Sequence, residues 1–397
     1  MGNDRPLSLV YTPELADLRK EYWTIVLRAV ALTLLLMWAC LPVYWGALAY
    51  SARMTSNLTA WFIDRDNSRL GHALWSDINN TSSPGPQLGW VFVDGDSAGS
   101  DQDIIDAVIG EQVWLALVVE ANATHKLATA RQNGDSSYDP ASAITVYYSQ
   151  ARQEIATGNY VVPLSTALLE KTTSAWATTS AQQYLAQIYA QGEVNGTALE
   201  LLARAPQTIS PAVGWTTVNL RPLRTAPVAT AVTLVGQIFL CIFAFITAMA
   251  NAAARPLIQR HLRFSHYLIL RFAVPLVAYV PMSLTYTLVS LAFHLPFDTR
   301  YNTASGFMLF WLYVYLGMAA LGLALESMIT VLTPKFVPFF LFSLIIANVA
   351  SAVLPDELQP AFYSFSIAFP VWFVLSILLP SPPTPCLPCA PNPHRNL

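Results

Sequence analysis

Charge is what this sequence has least of. Only 11% of its 397 residues are Asp, Glu, Lys or Arg, against about 25% in an ordinary soluble domain. The shortage excludes a charge-rich disordered chain and argues against an enzyme solvated on all sides. Neither sign prevails: 21 basic and 24 acidic residues give a net charge of -3, too little to attract nucleic acid. Cysteine is scarce as well. Cys40, Cys241, Cys386 and Cys389 all lie outside residues 50–226, so that segment has no disulfide in any compartment. No GxxxxGK[ST] occurs, which excludes a built-in P-loop ATPase.

The charge that is present is unevenly placed. Residues 50–226 hold 10 Lys/Arg and 16 Asp/Glu, whereas residues 229–380 hold 6 and 4. The chain is therefore an ordinary, mildly acidic domain joined to a half that water solvates poorly. A membrane-spanning helix needs about 20 apolar residues. The first such run is Ile25–Ala49, with only Arg28 charged. Its rival reading is a cleaved signal peptide, since Ala47-Leu48-Ala49 resembles a cleavage site. Signal h-regions are shorter, about 7–15 residues, and lack the polar lead-in of residues 1–24, so an uncleaved anchor is expected. Five more spans are expected at Ala229–Ala250, Tyr267–Phe293, Ser305–Leu332, Val337–Leu354 and Phe362–Leu379.

Loop charge orients these spans. Residues 251–266 carry Arg255, Arg260 and Arg263 with no acid, and Lys335 lies in the next loop on that side. The opposite loops hold Asp298 with Arg300, and Asp356 with Glu357. The positive-inside rule puts the basic loops and the N-terminus in the cytosol. The external or lumenal domain is then 50–228, the five-span membrane domain 229–380, and a Pro-rich tail 381–397. Five N-x-[ST] sequons, at Asn57, Asn79, Asn80, Asn122 and Asn195, all fall on the external side. They are expected glycosylation sites of a secretory-pathway or plasma-membrane protein.

Within the external segment, Leu58–Ile63, Leu88–Val93 and Val113–Val119 read as strands, and Asp64–Asn67 as a turn. Asp101–Ile109 reads as a helix capped by Ser100 or Asp101. Ala141–Thr157 and Leu164–Ala190 have helical period. The expected fold is α+β. Gly95-Asp96-Ser97-Ala98-Gly99 matches the G-x-S-x-G nucleophile elbow, but Gly99-Ser100 separates it from the helix and only His125 follows in the domain. A polar connecting loop is the plainer reading, and a membrane-tethered serine hydrolase the remote one. The acids Asp94, Asp96, Asp101, Asp103 and Asp106 fail the EF-hand pattern, with Ala98 at its fifth position and Ile105 at its twelfth. Cys386 and Cys389 form a lone CxxC; palmitoylation or no role suits it better than zinc.

Glu326 is the only acid inside an expected span. Such a residue is a functional candidate by default; the plainer reading is a carboxylate that reaches the interface or bonds a neighbouring helix. Gly317, Ala320, Ala324 and Ser327 mark an expected packing face, which would leave Glu326 pointing away from it, to a cavity or to lipid. Arg271, one turn into its span, is expected to snorkel to the headgroups. Pro275 and Pro281 are expected to kink the same helix.

Several stretches follow one another in a familiar order: Leu58–Asp66 (LTAWFIDRD), Trp114–Leu127 (WLALVVEANATHKL), Ser137–Pro140, Tyr160–Leu164 (YVVPL), Asn219–Pro222, Leu321–Glu326 (LGLALE), Ile346–Asn348 and Pro360–Tyr363. In these the chain resembles the fungal nitrosoguanidine-resistance membrane proteins. More loosely it is similar in layout to bacterial phage-infection proteins and membrane subunits of type-2 ABC exporters. After Tyr363 it departs from the pattern, Ser364–Ala368 standing where a basic, aromatic segment is usual; a truncated or altered C-terminus is expected. The resemblance implies a multi-pass membrane location and a link to drug or mutagen resistance, and supplies no catalytic residues. The expectation is an exporter-like, non-enzymatic protein that moves or excludes toxic hydrophobic compounds or lipids; the alternative is a non-transporting regulator or scaffold of membrane composition. Its expected partners are the lipid bilayer, small hydrophobic compounds or lipids, and a further copy or a separate ATPase. No cofactor, metal or nucleic acid is expected.

Overall fold

The computed structural model describes residues 16–80, 85–189, 196–223, 235–295, 297 and 302–368. They divide into two compact units. One takes its residues from Met1–Gly46 and Ala231–Ser351, the other from Ala47–Thr230 and Ala352–Leu397.

The second unit is built on a five-stranded sheet: β1 (Thr59–Asp64), β2 (Gly89–Asp94), β3 (Leu115–Val119), β4 (Ile144–Tyr148) and β5 (Thr216–Asn219), in the order β2-β1-β3-β4-β5. Every neighbouring pair is parallel except β3–β4. β3, the apolar run LALVV, is buried at every position, as expected of a strand covered on both faces. Successive side chains of β1 point to opposite faces. Phe62 meets the rings of Trp75 and Phe92. Ile63 joins Ile104, Val108, Val113, Ala116, Val118 and Tyr147 in a core cluster.

Helices on each face explain the parallel pairing. Between β1 and β2 lies α1′s successor in the chain, α2 (Arg69–Asn80), which contributes Trp75; α1 is the N-terminal helix Ala16–Ala49. Between β2 and β3 lies α3 (Asp101–Ile109), whose Ile104, Ala107 and Val108 are buried at the spacing of one helical face. Ser100 and Asp103 form a reciprocal capping box at its start. The observed alternation of strand, helix and mainly parallel strand replaces the expected α+β arrangement. Arg69–Asn80 had been assigned to no element, although Leu70, Ala73, Leu74 and Ile78 recur at helical spacing. The expectation failed at Ala141–Thr157, expected to be helical, where Ile144–Tyr148 (ITVYY) is a strand. Its β-branched and aromatic residues suit a pleated surface. Three further helices, α4 (Ala123–Asn133), α5 (Val162–Ile188) and α6 (Gly196–Arg204), complete this part of the chain.

The other unit is helical. After the α1 residues come α7 (Gly236–Ala254), α8 (Phe264–Ala292), α9 (Thr303–Leu332) and α10 (Val337–Ala352). Among the described residues four stretches are long and apolar enough to cross a membrane: Ala16–Arg53, Gly236–Gln259, Phe264–Ala292 and Thr303–Leu332. The fifth, α10, has 16 residues, or about 24 Å at helical rise, short of a hydrocarbon core of roughly 30 Å. α8 continues as helix through Pro275 and Pro281. Helix α9 packs on both α7 and α8. At the closest approach Gly322 sits under Tyr279, and a Cβ there would run into the Tyr279 ring and hydroxyl.

The last expected span, Phe362–Leu379, starts differently. Ala361–Ala368 is 3-10 turn, and residues 369–379 lie outside the described ones, as do the tail and its two cysteines. Pro355 and Pro360 bracket the acids Asp356 and Glu357, which breaks the helical run. The segment belongs to the sheet unit. Leu358 and Tyr363 are buried there, the Glu357 carbonyl accepts from Asn57 Nδ2 at 2.9 Å, and the Val353 carbonyl accepts from Gln153 Nε2 at 2.9 Å.

Candidate functional site

Within the helical unit, three chain segments bring their charged side chains to one point. Arg255 ends α7, Arg271 lies in the second turn of α8, and Glu326 lies in the last two turns of α9. Antiparallel connections put these positions at the same end of the unit. Glu326 is wholly buried. Its Oε1 is 2.6 Å from Arg255 Nη1 and 2.7 Å from Arg271 Nε, and the two arginine side chains are 6% and 12% exposed.

Each guanidinium is also fixed by uncharged groups. Arg271 Nη2 donates to the Glu326 carbonyl at 2.6 Å and to the Thr330 hydroxyl. Arg255 Nε donates to the Asn251 carbonyl at 3.3 Å, and Asn251 Nδ2 donates to the Arg271 carbonyl at 3.3 Å. One carboxylate oxygen thus holds two cations from two other helices. Arg255 Nη2 and Glu326 Oε2 are buried with no hydrogen-bond partner. The cluster carries one more positive than negative charge, in a place where an unpaired charge is costly.

This geometry corrects two expectations. Arg271 does not run free to the headgroups; Glu326 captures it. Glu326 points neither to lipid nor to an open cavity. Of the expected packing face, Gly317 is buried, but Ala320 and Ala324 are half-buried and Ser327 is exposed, while Val314, Met318, Leu321, Gly322, Leu325 and Ile329 are buried. Glu326 lies one turn beyond Gly322 and so shares that buried face. The plainer reading, a carboxylate bonded to neighbouring helices, is the one realised. Arg255 was missed as its partner because it was counted only as loop charge. The usable signal was depth: Arg255, Arg271 and Glu326 all sit within about two turns of the same membrane face.

The sheet unit gathers polar groups at the carboxyl ends of β1 and β3, where strand order reverses and ligands of open α/β sheets collect. Asp64 is buried, its Oδ1 accepting from the backbone N–H of Asp66 and Asn67 at 3.0 Å each. Burial raises its pKa above the usual carboxylate value, opposed by those two hydrogen bonds. Asp66 accepts from the Thr124 hydroxyl at 2.5 Å and from the Ser68 hydroxyl. Arg65 pairs with Asp101. These side chains satisfy one another. Among the described residues no group of three or more His, Cys, Asp or Glu is arranged to hold a metal ion.

Ser97 is exposed, and its hydroxyl donates to the Asp94 carbonyl at 2.8 Å within the turn after β2. Of the sequon residues, Asn57, Asn79, Asn80 and Asn122 are exposed on the sheet unit. Asn195 lies outside the described residues.

The sequence profile of a family described as a protein of unknown function, DUF3533, matches residues 29–379. The chain belongs to the DUF3533 family. That match takes in the sheet strands and all three members of the ion cluster. This DUF3533 protein is also similar to an uncharacterized endoplasmic reticulum membrane protein of Saccharomyces cerevisiae, YJR015W, at 23% identity over 302 residues. The alignment covers 69% of this chain and 53% of the yeast protein; the chain spans about half the length of this curated relative. No solved structure matches it. The DUF3533 chain is an integral, multi-pass membrane protein, and its spanning helices contact the lipid bilayer.

Proposed function

We propose that this DUF3533 protein is an exporter-like protein of a secretory-pathway membrane that moves or excludes lipids or toxic hydrophobic compounds. In this reading the sheet unit lies in the lumen or outside the cell. The single observation that carries it is the buried Arg255–Glu326–Arg271 cluster. Buried ion groups add little to stability compared with apolar packing of the same volume, so three helices tied by one carboxylate suit a bundle that must hold one arrangement and release it. Layout supports the reading too: a folded domain inserted between the first span and the rest, as in the resistance proteins and exporters that the sequence resembles. The yeast relative's location in the endoplasmic reticulum favours an internal membrane.

No P-loop lies in the sequence, so energy would come from a separate ATPase or an ion gradient. The pairing of Glu326 with two arginines makes it a tie between helices and not a proton carrier; the second reading is a non-transporting regulator of membrane composition. Ser97, bonded back to its own turn, gives the hydrolase reading no support. Reconstitution of the purified protein in liposomes separates the first two. Directional movement of a labelled lipid or dye supports export. Vesicles that stay inert while a deletion strain shows altered lipid content or resistance support the regulator and overturn export.

A further inference from the structure

The end of the helical unit that holds the ion cluster carries more cation than its acids neutralise. Glu326 takes Arg255 and Arg271. Arg260 and Arg263, between α7 and α8, and Lys335, after α9, are exposed and form no ion pair among the described residues. Large apolar side chains alternate with them. Leu257 is 78% exposed, Phe264 75% and Phe336 49%. Leu257 lies in the last turn of the apolar stretch Gly236–Gln259, Phe264 is the first residue of α8, and Phe336 lies in the turn after α9, so all three sit at the ends of spans beside the cations.

Neither half of the pattern suits bulk water. Exposed aromatic and aliphatic groups gathered at the ends of spans mark an interaction surface. Cations beside apolar side chains suit the headgroup and acyl boundary of a bilayer, where the apolar part inserts and the cations meet phosphate. An anionic leaflet attracts each such cation. The ion cluster behind the surface adds a further positive charge instead of cancelling the field.

We propose that this end of the protein is a docking surface for anionic glycerophospholipid headgroups, with Arg260, Arg263 and Lys335 on phosphate and Leu257, Phe264 and Phe336 inserted beside the acyl chains. The inference is independent of whether the protein transports anything, because binding is read without movement of a substrate.

The test uses the full chain in detergent, mixed with equal phosphatidylserine and phosphatidylcholine, with retained lipid counted by native mass spectrometry. Wild type should retain phosphatidylserine preferentially. Arg260→Gln/Arg263→Gln/Lys335→Gln should lose that preference, each cation contributing about fivefold at most. Leu257→Ser/Phe264→Ser should lower retention of both lipids together. All these side chains are exposed, so the variants should elute as wild type on size exclusion; Arg263→Gln alone, with a smaller loss, serves should the triple variant not fold. Equal retention of the two lipids by wild type would overturn the proposal. So would an unchanged preference in the Gln variants, or displacement of the lipid by inorganic phosphate, which would mark a site for the free ion.

Discussion

The two units bury arginine in opposite ways. In the sheet unit, Arg152 lies 3.8 Å from the centre of the Trp114 ring, donates to the Val113 carbonyl at 2.9 Å, and has Glu357 at 3.5 Å and Glu111 at 4.0 Å. Arg131 pairs with no acid among the described residues. It donates to the Thr208 carbonyl and to Ser180, and stacks on Tyr184. In both, burial pulls the guanidinium pKa below its ordinary value; the two glutamates oppose that at Arg152. Loops and edges there offer free carbonyls and rings. In the helical unit most carbonyls are already used by the helices, so Arg255 and Arg271, though each also bonds an uncharged group, share one carboxylate as their counter-ion. Redundant solvation by many weak partners should tolerate loss of one; dependence on a single ion should not.

The largest expected effect follows from that dependence. Glu326→Gln leaves two buried arginines without their counter-ion and should cost about 3–5 kcal/mol, read as a fall in abundance and in the melting temperature of the purified chain. A wild-type melting curve for Glu326→Gln would erase the contrast between the units. Next comes the helix contact beside the cluster. Gly322→Ala should cost roughly 1–3 kcal/mol by overpacking against Tyr279, and Tyr279→Phe in the same chain should restore part of it. Additive losses in the double variant would show that the two residues do not meet.

In the sheet unit the effects should be smaller. Arg152→Met keeps the stem on Trp114 and leaves Glu357 close to solvent, so the loss should be about 1–2 kcal/mol, measured by thermal unfolding of the full chain. A loss as large as that of Glu326→Gln would contradict the idea of redundant partners. The smallest effect concerns Asp64. Because its folded pKa is raised, the folded state holds its proton more tightly than the unfolded state. That contribution favours folding at low pH and is lost as pH rises through the folded pKa, above the ordinary carboxylate range. Asp64→Asn should therefore stabilise slightly at neutral pH and not in acid; equal shifts at both pH values would argue against a buried carboxylate.

How much was legible in the sequence follows the same division. β1, β2, β3 and α3 were readable because alternation and capping are local signals, and Ser100 with Asp103 announced its own helix. α2 and β4 were not: the helical stripe Leu70, Ala73, Leu74 and Ile78 was passed over after the turn at Asp64–Asn67, and ITVYY sits in a run that scans as helical. In the helical unit the apolar stretches revealed the spans but not their faces. Where nearly every residue is apolar, periodicity cannot tell a packed side from a lipid side, and so Ala320, Ala324 and Ser327 were set on the seam with Gly317 while Gly322 and Glu326 were left off it. The ion cluster needed the pairing of three distant segments, which composition shows only as matching depth.

Glu326 serves as the shared counter-ion of Arg255 and Arg271. The most direct measurement compares thermal stability of Glu326→Gln with that of Arg255→Met/Arg271→Met/Glu326→Leu in the full-length protein. Apolar groups of similar volume need no counter-ion, so the triple variant should melt near wild type while the single variant melts well below it. A single variant as stable as wild type, or a triple variant no better than the single, would contradict the account.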